Sequence, residues 1–204
     1  MSLLYFPSSS SSSGGQLILI KKQTASSDST IDFVDGSGGV TFDSTYSTYI
    51  FQFEKVLPSA STPAVIRLEF QATIDGTNFD ENISSVAWYS QSYYTEESFG
   101  GPTLSSSLSQ YNSTSMQAVA LNTTAIAANS GSLTVFDPAS SSDYKLVESQ
   151  TLGTTDASAP SHAMVQFSTA GIFMTDSALT GVRFQYNTGN IASGDITLFG
   201  LKTT

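Results

Sequence analysis

The chain contains no cysteine and a single histidine, and these absences exclude several kinds of chemistry. Without cysteine there is no disulfide scaffold and no thiolate zinc or iron–sulfur site, and one histidine cannot build a multi-histidine metal site. We therefore predict neither a metal site nor a cofactor. Because no covalent or metal cross-link is available, packing has to provide the stability of the fold.

Basic residues are also few: seven Lys and Arg stand against 17 Asp and Glu, giving a formal net charge of −10. This charge opposes binding to nucleic-acid phosphates and to anionic membrane surfaces. No apolar run approaches the roughly 18 residues that a membrane helix needs, and the first residues lack the basic and apolar regions of a secretory signal. We therefore expect a soluble, unexported protein without a nucleic-acid or membrane partner.

Small hydroxyl side chains take the place of charge, because 37 Ser and 24 Thr make up 61 of the 204 residues. Residues 8–13 are six consecutive serines, which follow the apolar residues Leu3, Leu4, Tyr5 and Phe6. An apolar tip on a Ser/Gly linker predicts either a frayed terminus or a flexible arm that anchors the domain to a partner. We assign this arm to residues 1–16 and a single domain to residues 17–204.

From residue 17 onward, short β-branched and aromatic runs alternate with Ser, Gly, Asp and Pro clusters, which is typical of many short strands. The candidate strands are residues 17–23, 30–34, 46–56, 64–74, 86–94, 116–122, 131–136, 144–151, 162–168, 180–186 and 195–201. Only residues 115–129 could instead be helical, and their Thr and Asn content favours a strand. The pattern predicts an all-β fold: an antiparallel two-sheet β-sandwich of jelly-roll type.

The clearest alternation places Ile66, Leu68, Phe70, Ala72 and Ile74 on one face of a strand. The intervening residues are polar, which is the period of two expected when one face of a strand is buried. Gly- and Asn-containing turns at residues 75–78 and 187–190 suit hairpins or short loops.

Catalytic signals are weak. There is no G-x-S-x-G motif, and any Ser–His–Asp site would have to use His162, which precedes a predicted strand and is better explained as a rim residue. Residues 75–81 cluster oxygen ligands that could hold calcium, but they lack the ligand pattern of an EF-hand and read as an ordinary turn. We therefore predict no enzymatic activity and no catalytic residue.

Four aromatic residues lie close together: Trp88, Tyr89, Tyr93 and Tyr94. In a strand, Trp88 and Tyr94 would share one face, and the two other tyrosines would share the opposite face. Aromatic rings of this kind serve in cores and subunit interfaces, and they also stack on sugars. The cluster is therefore a candidate for core or subunit-interface packing, with a glycan platform as the alternative.

Several motifs together resemble a known family. The N-terminal motifs are T-A-S at residues 24–26, I-D-F at residues 31–33, and D-S-T-Y at residues 43–46 leading into Y-I-F-Q-F at residues 49–53. The C-terminal motifs are G-S-L-T-V-F-D-P at residues 131–138, G-V-R-F at residues 181–184 and G-N-I-A-S-G-D-I-T-L-F-G-L at residues 189–201. This order resembles a jelly-roll family of small virion proteins of tailed bacteriophages, over about residues 17–202.

The resemblance implies a non-enzymatic structural protein of the virion, assembled in the host cytoplasm and forming a homo-oligomer, expected to be a trimer. With the apolar arm, it favours a capsid decoration or cement protein bound to the major capsid protein or to other virion proteins. The alternative is a tail fibre or tailspike-associated adhesin that binds host surface glycans. A carbohydrate-active enzyme on a β-sandwich is a third reading, which no carboxylate motif supports.

Overall fold

A computed structural model describes residues 15–60, 66–93, 99–118, 128–154 and 163–202. This part of the chain forms thirteen β-strands and no helix, and so it has no helix that could cross a membrane. The strands are β1 (Gln16–Asp28), β2 (Ile31–Val34), β3 (Thr48–Pro58), β4 (Leu68–Thr73), β5 (Ile83–Tyr93), β6 (Phe99–Leu104), β7 (Gln110–Ser113), β8 (Met116–Gln117), β9 (Asn129–Phe136), β10 (Leu146–Thr154), β11 (Ala163–Phe173), β12 (Gly181–Tyr186) and β13 (Ile191–Lys202).

The strands form two antiparallel sheets, as the sequence predicts. The large sheet has nine strands in the order β1-β13-β3-β9-β10-β11-β5-β6, with β7 also paired to β5. The small sheet has four strands in the order β2-β12-β4-β8. The predicted β-sandwich is therefore confirmed.

Eight of the strands follow jelly-roll connectivity. Successive strands β1, β2, β3 and β4 alternate between the two sheets, and β8, β9, β12 and β13 alternate in the same way on the return path. The result is a β1-β13-β3-β9 sheet facing a β2-β12-β4-β8 sheet, which is the two-sheet arrangement of a jelly roll. The strands inserted between these eight, β5 to β7 and β10 to β11, all extend the large sheet beyond β9.

The core lies between the two sheets, and Phe184 of β12 is at its centre. Its ring lies 5.2 Å from that of Phe51, 5.3 Å from Phe53, 5.6 Å from Phe70 and 6.3 Å from Phe33. All five side chains are buried, and most of these pairs meet edge to face, the geometry that aromatic quadrupoles favour. The predicted alternation of the strand at residues 64–74 places its apolar residues in this core.

That alternation fails at its last residue. Thr73 is buried and Ile74 is exposed, the reverse of the prediction. The reason is local: the chain leaves β4 at Thr73, whose hydroxyl donates to Asp75 and starts the following turn.

A second, smaller core lies under the extension of the large sheet. Ala87, Leu108, Val165 and Phe167 form this cluster, and Tyr89 packs against it. Residues 105–109 make the turn that covers these side chains, held by a hydrogen bond from the Ser105 amide to the Ala87 carbonyl. The extension therefore contributes to two cores: this small cluster, and the main core, which contains Ile83, Val147 and Phe173 of the same strands.

The two turns predicted as hairpins or short loops connect different sheets. Residues 75–78 lead from β4 of the small sheet toward β5 of the large one, and residues 187–190 lead from β12 to β13. Gly194 precedes the predicted strand at residues 195–201, but it lies inside β13. There its φ is +112°, and a Cβ would come within 2.5 Å of the Lys55 carbonyl oxygen, so close strand pairing requires glycine.

Some strand boundaries differ from those predicted. Strands β1, β11 and β13 are longer than expected, and β6 and β7 were not predicted. The sequence of β6 contains Gly100, Gly101 and Pro102, which resemble a turn, but an edge position tolerates them because one side of the strand needs no partner. The ambiguous stretch at residues 115–129 contains β8 and the start of β9, and residues 119–127 lie outside the described residues.

Candidate interaction surface

The outer face of the large sheet extends across neighbouring strands from β1 to β6. Side chains of a strand alternate between its two faces, and the pairing registers show which residues lie side by side. For example, Glu148 lies between Thr134 and Ala170, and Val86 follows on the next strand. Rows of this kind cross the sheet from β1 to β5.

Two adjacent rows of this outer face are mostly apolar. The first contains Leu17, Leu201, Thr48, Phe136, Leu146, Ile172 and Ser84, and the second contains Leu19, Phe199, Ile50, Thr134, Glu148, Ala170 and Val86. Their ten apolar members, which we call the outer apolar band, are Leu17, Leu19, Ile50, Val86, Phe136, Leu146, Ala170, Ile172, Phe199 and Leu201. Half of the band is well exposed, including Leu19 at 60% and Leu146 at 55%.

The next two rows of the same face are mostly polar. They contain Lys22, Thr197, Gln52, Ser132, Gln150, Ser168 and Trp88, and then Thr24, Asp195, Glu54, Ser130, Leu152, Gln166 and Ser90. Only Trp88 and Leu152 among them are apolar. The outer face is thus divided into an apolar half and a half rich in hydroxyl and amide groups.

Charge is almost absent from the part of this face formed by β9, β10, β11 and β5. Glu148 is the only charged residue among the outward-facing side chains of these four strands. Near the β1 edge, Lys22 and Asp195 form an ion pair at 2.8 Å, and Thr24 donates a hydrogen bond to the same carboxylate. The hydrogen bond from Lys22 lowers the pKa of Asp195 below its usual value.

Several shallow depressions lie on the face, and two of them adjoin the outer apolar band. One, of about 450 Å³, is next to Val86, Ile172 and the highly exposed ring of Tyr111. The other, of about 460 Å³, is next to Leu17, Ile50 and Phe199, with Glu54 as its one carboxylate. Both are open and lined mainly by apolar and hydroxyl side chains, so they offer contact area and no pair of acid and base groups.

The four predicted aromatic residues do not form one surface. Trp88 points outward from the large sheet and is 39% exposed, opposite Leu104 of β6 and Ser168 of β11. Tyr89 lies on the other face against the small core, as strand alternation predicts. Tyr93 is in β5, but its side chain is not described, and Tyr94 lies outside the described residues.

The predicted arm residues Leu3, Leu4, Tyr5 and Phe6 also lie outside the described residues, as does His162. Gly15, the first described residue, adjoins Leu201, so residues 1–14 join the domain at the β1 end of the outer apolar band. In the described part of the chain, no group of three or more His, Asp and Glu side chains is placed to hold a metal ion.

In the loop at residues 75–78, the Asp75 carboxylate accepts hydrogen bonds from the loop itself. Asp75 Oδ1 accepts hydrogen bonds from the backbone amides of Thr77 and Asn78, each at 2.8 Å, and from the Thr73 hydroxyl. These bonds, first of all the one from the Asn78 amide, hold the pKa of Asp75 well below its usual value. The Asp75 carboxylate therefore stabilises the turn that contains it.

The outer face of the small sheet has a different character. Arg183 of β12 forms a two-pronged ion pair with Asp32 of β2, at 2.8 and 2.6 Å, and its guanidinium lies 4.0 Å from the centre of the Phe79 ring. Glu69 of β4 lies beside Gln185 of β12 and Gln117 of β8. Burial raises the pKa of Glu69. This face is charged, and the loop after β4 covers part of it.

Lys145 is a buried residue that the sequence analysis missed. Its ammonium donates to three backbone carbonyls: Asp143 at 2.7 Å, Asp176 at 2.8 Å and Thr175 at 3.4 Å. Burial lowers the pKa of Lys145, and the nearby acids oppose that effect. The residue joins the segment before β10 to the loop after β11, so its role is structural. Nothing in the sequence around Lys145 indicates that its side chain is buried.

The outer apolar band was also missed, although part of its signal is present. Residues 17–20 read Leu-Ile-Leu-Ile, which is apolar on both faces of a strand and exceeds what a half-buried strand needs. The remaining members become neighbours only when distant strands pair. No family model, curated protein or solved structure matches the chain.

Proposed function

We propose that this chain is a non-enzymatic structural protein of a bacteriophage virion, a homo-oligomeric capsid decoration or cement protein on the exterior of the head. The resemblance of its sequence motifs to phage virion proteins is the source of this assignment. The jelly-roll order of the eight alternating strands is the fold that the resemblance implies. Fold alone does not define a function, so the proposal also depends on the properties of the protein surface.

The observation that carries the proposal is the open outer face of the large sheet. Soluble monomers rarely expose wide apolar patches, and a patch of this kind usually marks a surface that another protein covers. Here exposed leucines from β1 and β10 and a valine from β5 share one face. A structural protein that assembles into oligomers needs contact area of this sort.

Attachment to the capsid is assigned to the arm. Its tip contains Leu3, Leu4, Tyr5 and Phe6, and residues 7–14 separate the tip from the domain. Many copies on a lattice turn weak individual contacts into strong attachment, because each bound copy raises the effective concentration of the next contact. We therefore propose that the tip binds the major capsid protein.

Copy number tests the proposal most directly. Quantitative mass spectrometry of purified particles should find hundreds of copies of this chain relative to the major capsid protein. Tens of copies would favour a tail location, and absence from the particle would contradict every virion assignment.

The arm can be tested with a matched variant. Replacing Leu3, Leu4, Tyr5 and Phe6 with serine keeps the length of the linker and should abolish binding to undecorated heads while leaving the melting temperature unchanged. The control is a variant with Ser8 to Ser11 changed to glycine, which should bind like the wild type. A serine-tip variant that still decorates heads would remove the arm from the proposal.

A tail-associated adhesin is the second candidate, and the exposure of Trp88 favours it. A partly exposed indole ring on a sheet face, between Ser168 and Leu104, is suited to stacking on a sugar ring. Under this reading, Trp88→Ala should weaken binding to host surface glycans at least about tenfold. The domain should stay folded, because a fully buried tryptophan costs about 3–5 kcal/mol when truncated and Trp88 is only partly buried.

A further inference from the structure

We propose that the outer face of the large sheet is the surface through which copies of this chain associate, with the outer apolar band packed against a second copy. The inference rests on the homo-oligomeric part of the proposed function and not on a location in the virion. It names the interface, which neither the sequence motifs nor the fold specifies. Three features of the described residues support a second copy as the occupant.

The first feature is the continuity of the band. Register places its ten residues in two neighbouring rows that cross seven strands, from Leu17 on β1 to Val86 on β5. Strands lie about 4.8 Å apart, so the band is about 29 Å long. Isolated exposed apolar residues need no explanation, but a continuous band of this length does.

The second feature is charge. The chain carries a formal net charge of −10, so two copies repel each other through most of their surfaces. The part of the outer face formed by β9, β10, β11 and β5 carries only Glu148. Two copies can therefore approach through this face with little like-charge repulsion. A strongly basic partner would instead be expected to bind where the acids are concentrated.

The third feature is size. Across β1 to β5, the four rows cover about 30 Å by 20 Å, or about 600 Å² per copy, by the usual strand spacings. Two such faces would bury about 1,200 Å² in total, which reaches the range of specific protein interfaces. Sheets pack face to face at about 10 Å through interdigitated side chains, so a half-apolar sheet face is suited to a second sheet.

The outer face of the small sheet is less suited to contact with a second copy. Its central side chains, Asp32 and Arg183, already pair with each other, and the ring of Phe79 covers the guanidinium. Packing a second copy there would remove water from a charged pair and from Glu69, which is costly. The large sheet is therefore the favoured site of association.

The test introduces a positive charge into the band. Leu146→Lys and Val86→Lys each reduce the net charge from −10 to −9, which by itself should promote association between acidic copies. If the band is the interface, both variants should instead weaken association at least about tenfold, because each buries a cation in an apolar contact. Sedimentation equilibrium of the full-length chain over a range of concentrations measures this change.

The matched control is Ile74→Lys. Ile74 is an exposed apolar residue at the end of β4 on the other sheet, and its substitution changes the net charge by the same amount. This variant should associate like the wild type or slightly more strongly. Far-UV circular dichroism and thermal melting should show that all three variants are folded. If a lysine variant does not fold, Leu146→Thr supplies a milder loss of apolar contact.

The outcomes are decisive and independent of the virion assignment. An oligomer that Leu146→Lys and Val86→Lys dissociate, and that Ile74→Lys does not, supports the interface whatever its stoichiometry. A wild-type chain that stays monomeric at all concentrations overturns the proposal, and so does an oligomer that the two band variants leave intact. Copy number on particles tests the proposed function separately.

Discussion

The outer faces of the two sheets differ in the kind of side chain that they expose to solvent. On the small sheet, Arg183 and Asp32 pair with each other, and Phe79 covers the guanidinium. On the large sheet, apolar side chains such as Leu19 and Leu146 are more than half exposed. The first face pairs its central charges within the chain, whereas the second exposes apolar side chains.

Because of this difference, substitutions on the two faces should affect different properties of the protein. Side chains that contact only solvent in the monomer contribute little to the free energy of unfolding, while side chains that pair or pack within the chain contribute more. The small-sheet face should therefore matter for folding, and the large-sheet face for binding.

The largest effect is expected within the large sheet itself. Leu133 of β9 is fully buried in the core, and Leu146 on the neighbouring strand β10 points outward. Leu133→Ala should reduce the free energy of unfolding by about 2–5 kcal/mol, because it leaves a cavity. Leu146→Ala should change it by about 0.5 kcal/mol or less in the monomer. Urea denaturation at low protein concentration measures both, and a loss of similar size for Leu146→Ala would break the contrast.

The ion pairs of the two faces give an intermediate effect. The Arg183 side chain is 28% exposed and binds Asp32 through two nitrogen atoms, whereas Lys22, which pairs with Asp195, is 51% exposed. Arg183→Met should destabilise the chain by about 1–2 kcal/mol, since it also removes the contact with Phe79. Lys22→Met should cost less than Arg183→Met, because the Lys22–Asp195 pair is exposed and solvent weakens it. Arg183→Lys keeps the charge without the two-pronged geometry and should lie between them. Equal losses from Arg183→Met and Lys22→Met would contradict the contrast.

The smallest effects concern two carboxylates, and they should have opposite signs. Burial raises the pKa of Glu69 above 4.5, so its charged form is disfavoured in the folded state and costs stability at pH 7. The bond from Lys22 lowers the pKa of Asp195 below 3.8, so its charged form adds stability at pH 7. Glu69→Gln should therefore raise the melting temperature at pH 7, and Asp195→Asn should lower it.

The pH dependence of the two substitutions follows from the same directions. The gain from Glu69→Gln should shrink as the pH falls through the raised pKa toward 4.5 and vanish below it. The loss from Asp195→Asn should persist down to pH 3.8 and disappear as the pH falls through the lowered pKa. Thermal melts between pH 2.5 and pH 7 test both, and shifts of the same sign at pH 7 would show that the environments of the two carboxylates do not differ as described.

Much of the fold could be predicted because its signals are local. The alternation of Leu68, Phe70 and Ala72 identified both the strand and its buried face. Strand β6 was missed because its glycines and proline are typical of a turn, and only its position at the sheet edge makes them acceptable in a strand. The burial of Lys145 depends on carbonyls about 30 residues away, which local sequence cannot indicate.

The candidate surface was less predictable. Alternation correctly separated Trp88 from Tyr89, but it did not show that Trp88 faces outward. Which face of a strand meets solvent depends on the side from which the second sheet packs. The neighbours across the large sheet, such as Leu19 and Phe199, are distant in the sequence and meet only through pairing.

The sequence by itself determined the class of the fold, the periodicity of its strands and the scarcity of charge, because these depend on the residue types and their spacing along the chain. The tertiary structure decided which strands pair, that the inserted strands widen one sheet, and that ten apolar residues form a band on its open face. The physical reason is that sheet pairing is non-local: hydrogen bonds between distant strands set the register, and register alone decides which side chains become neighbours.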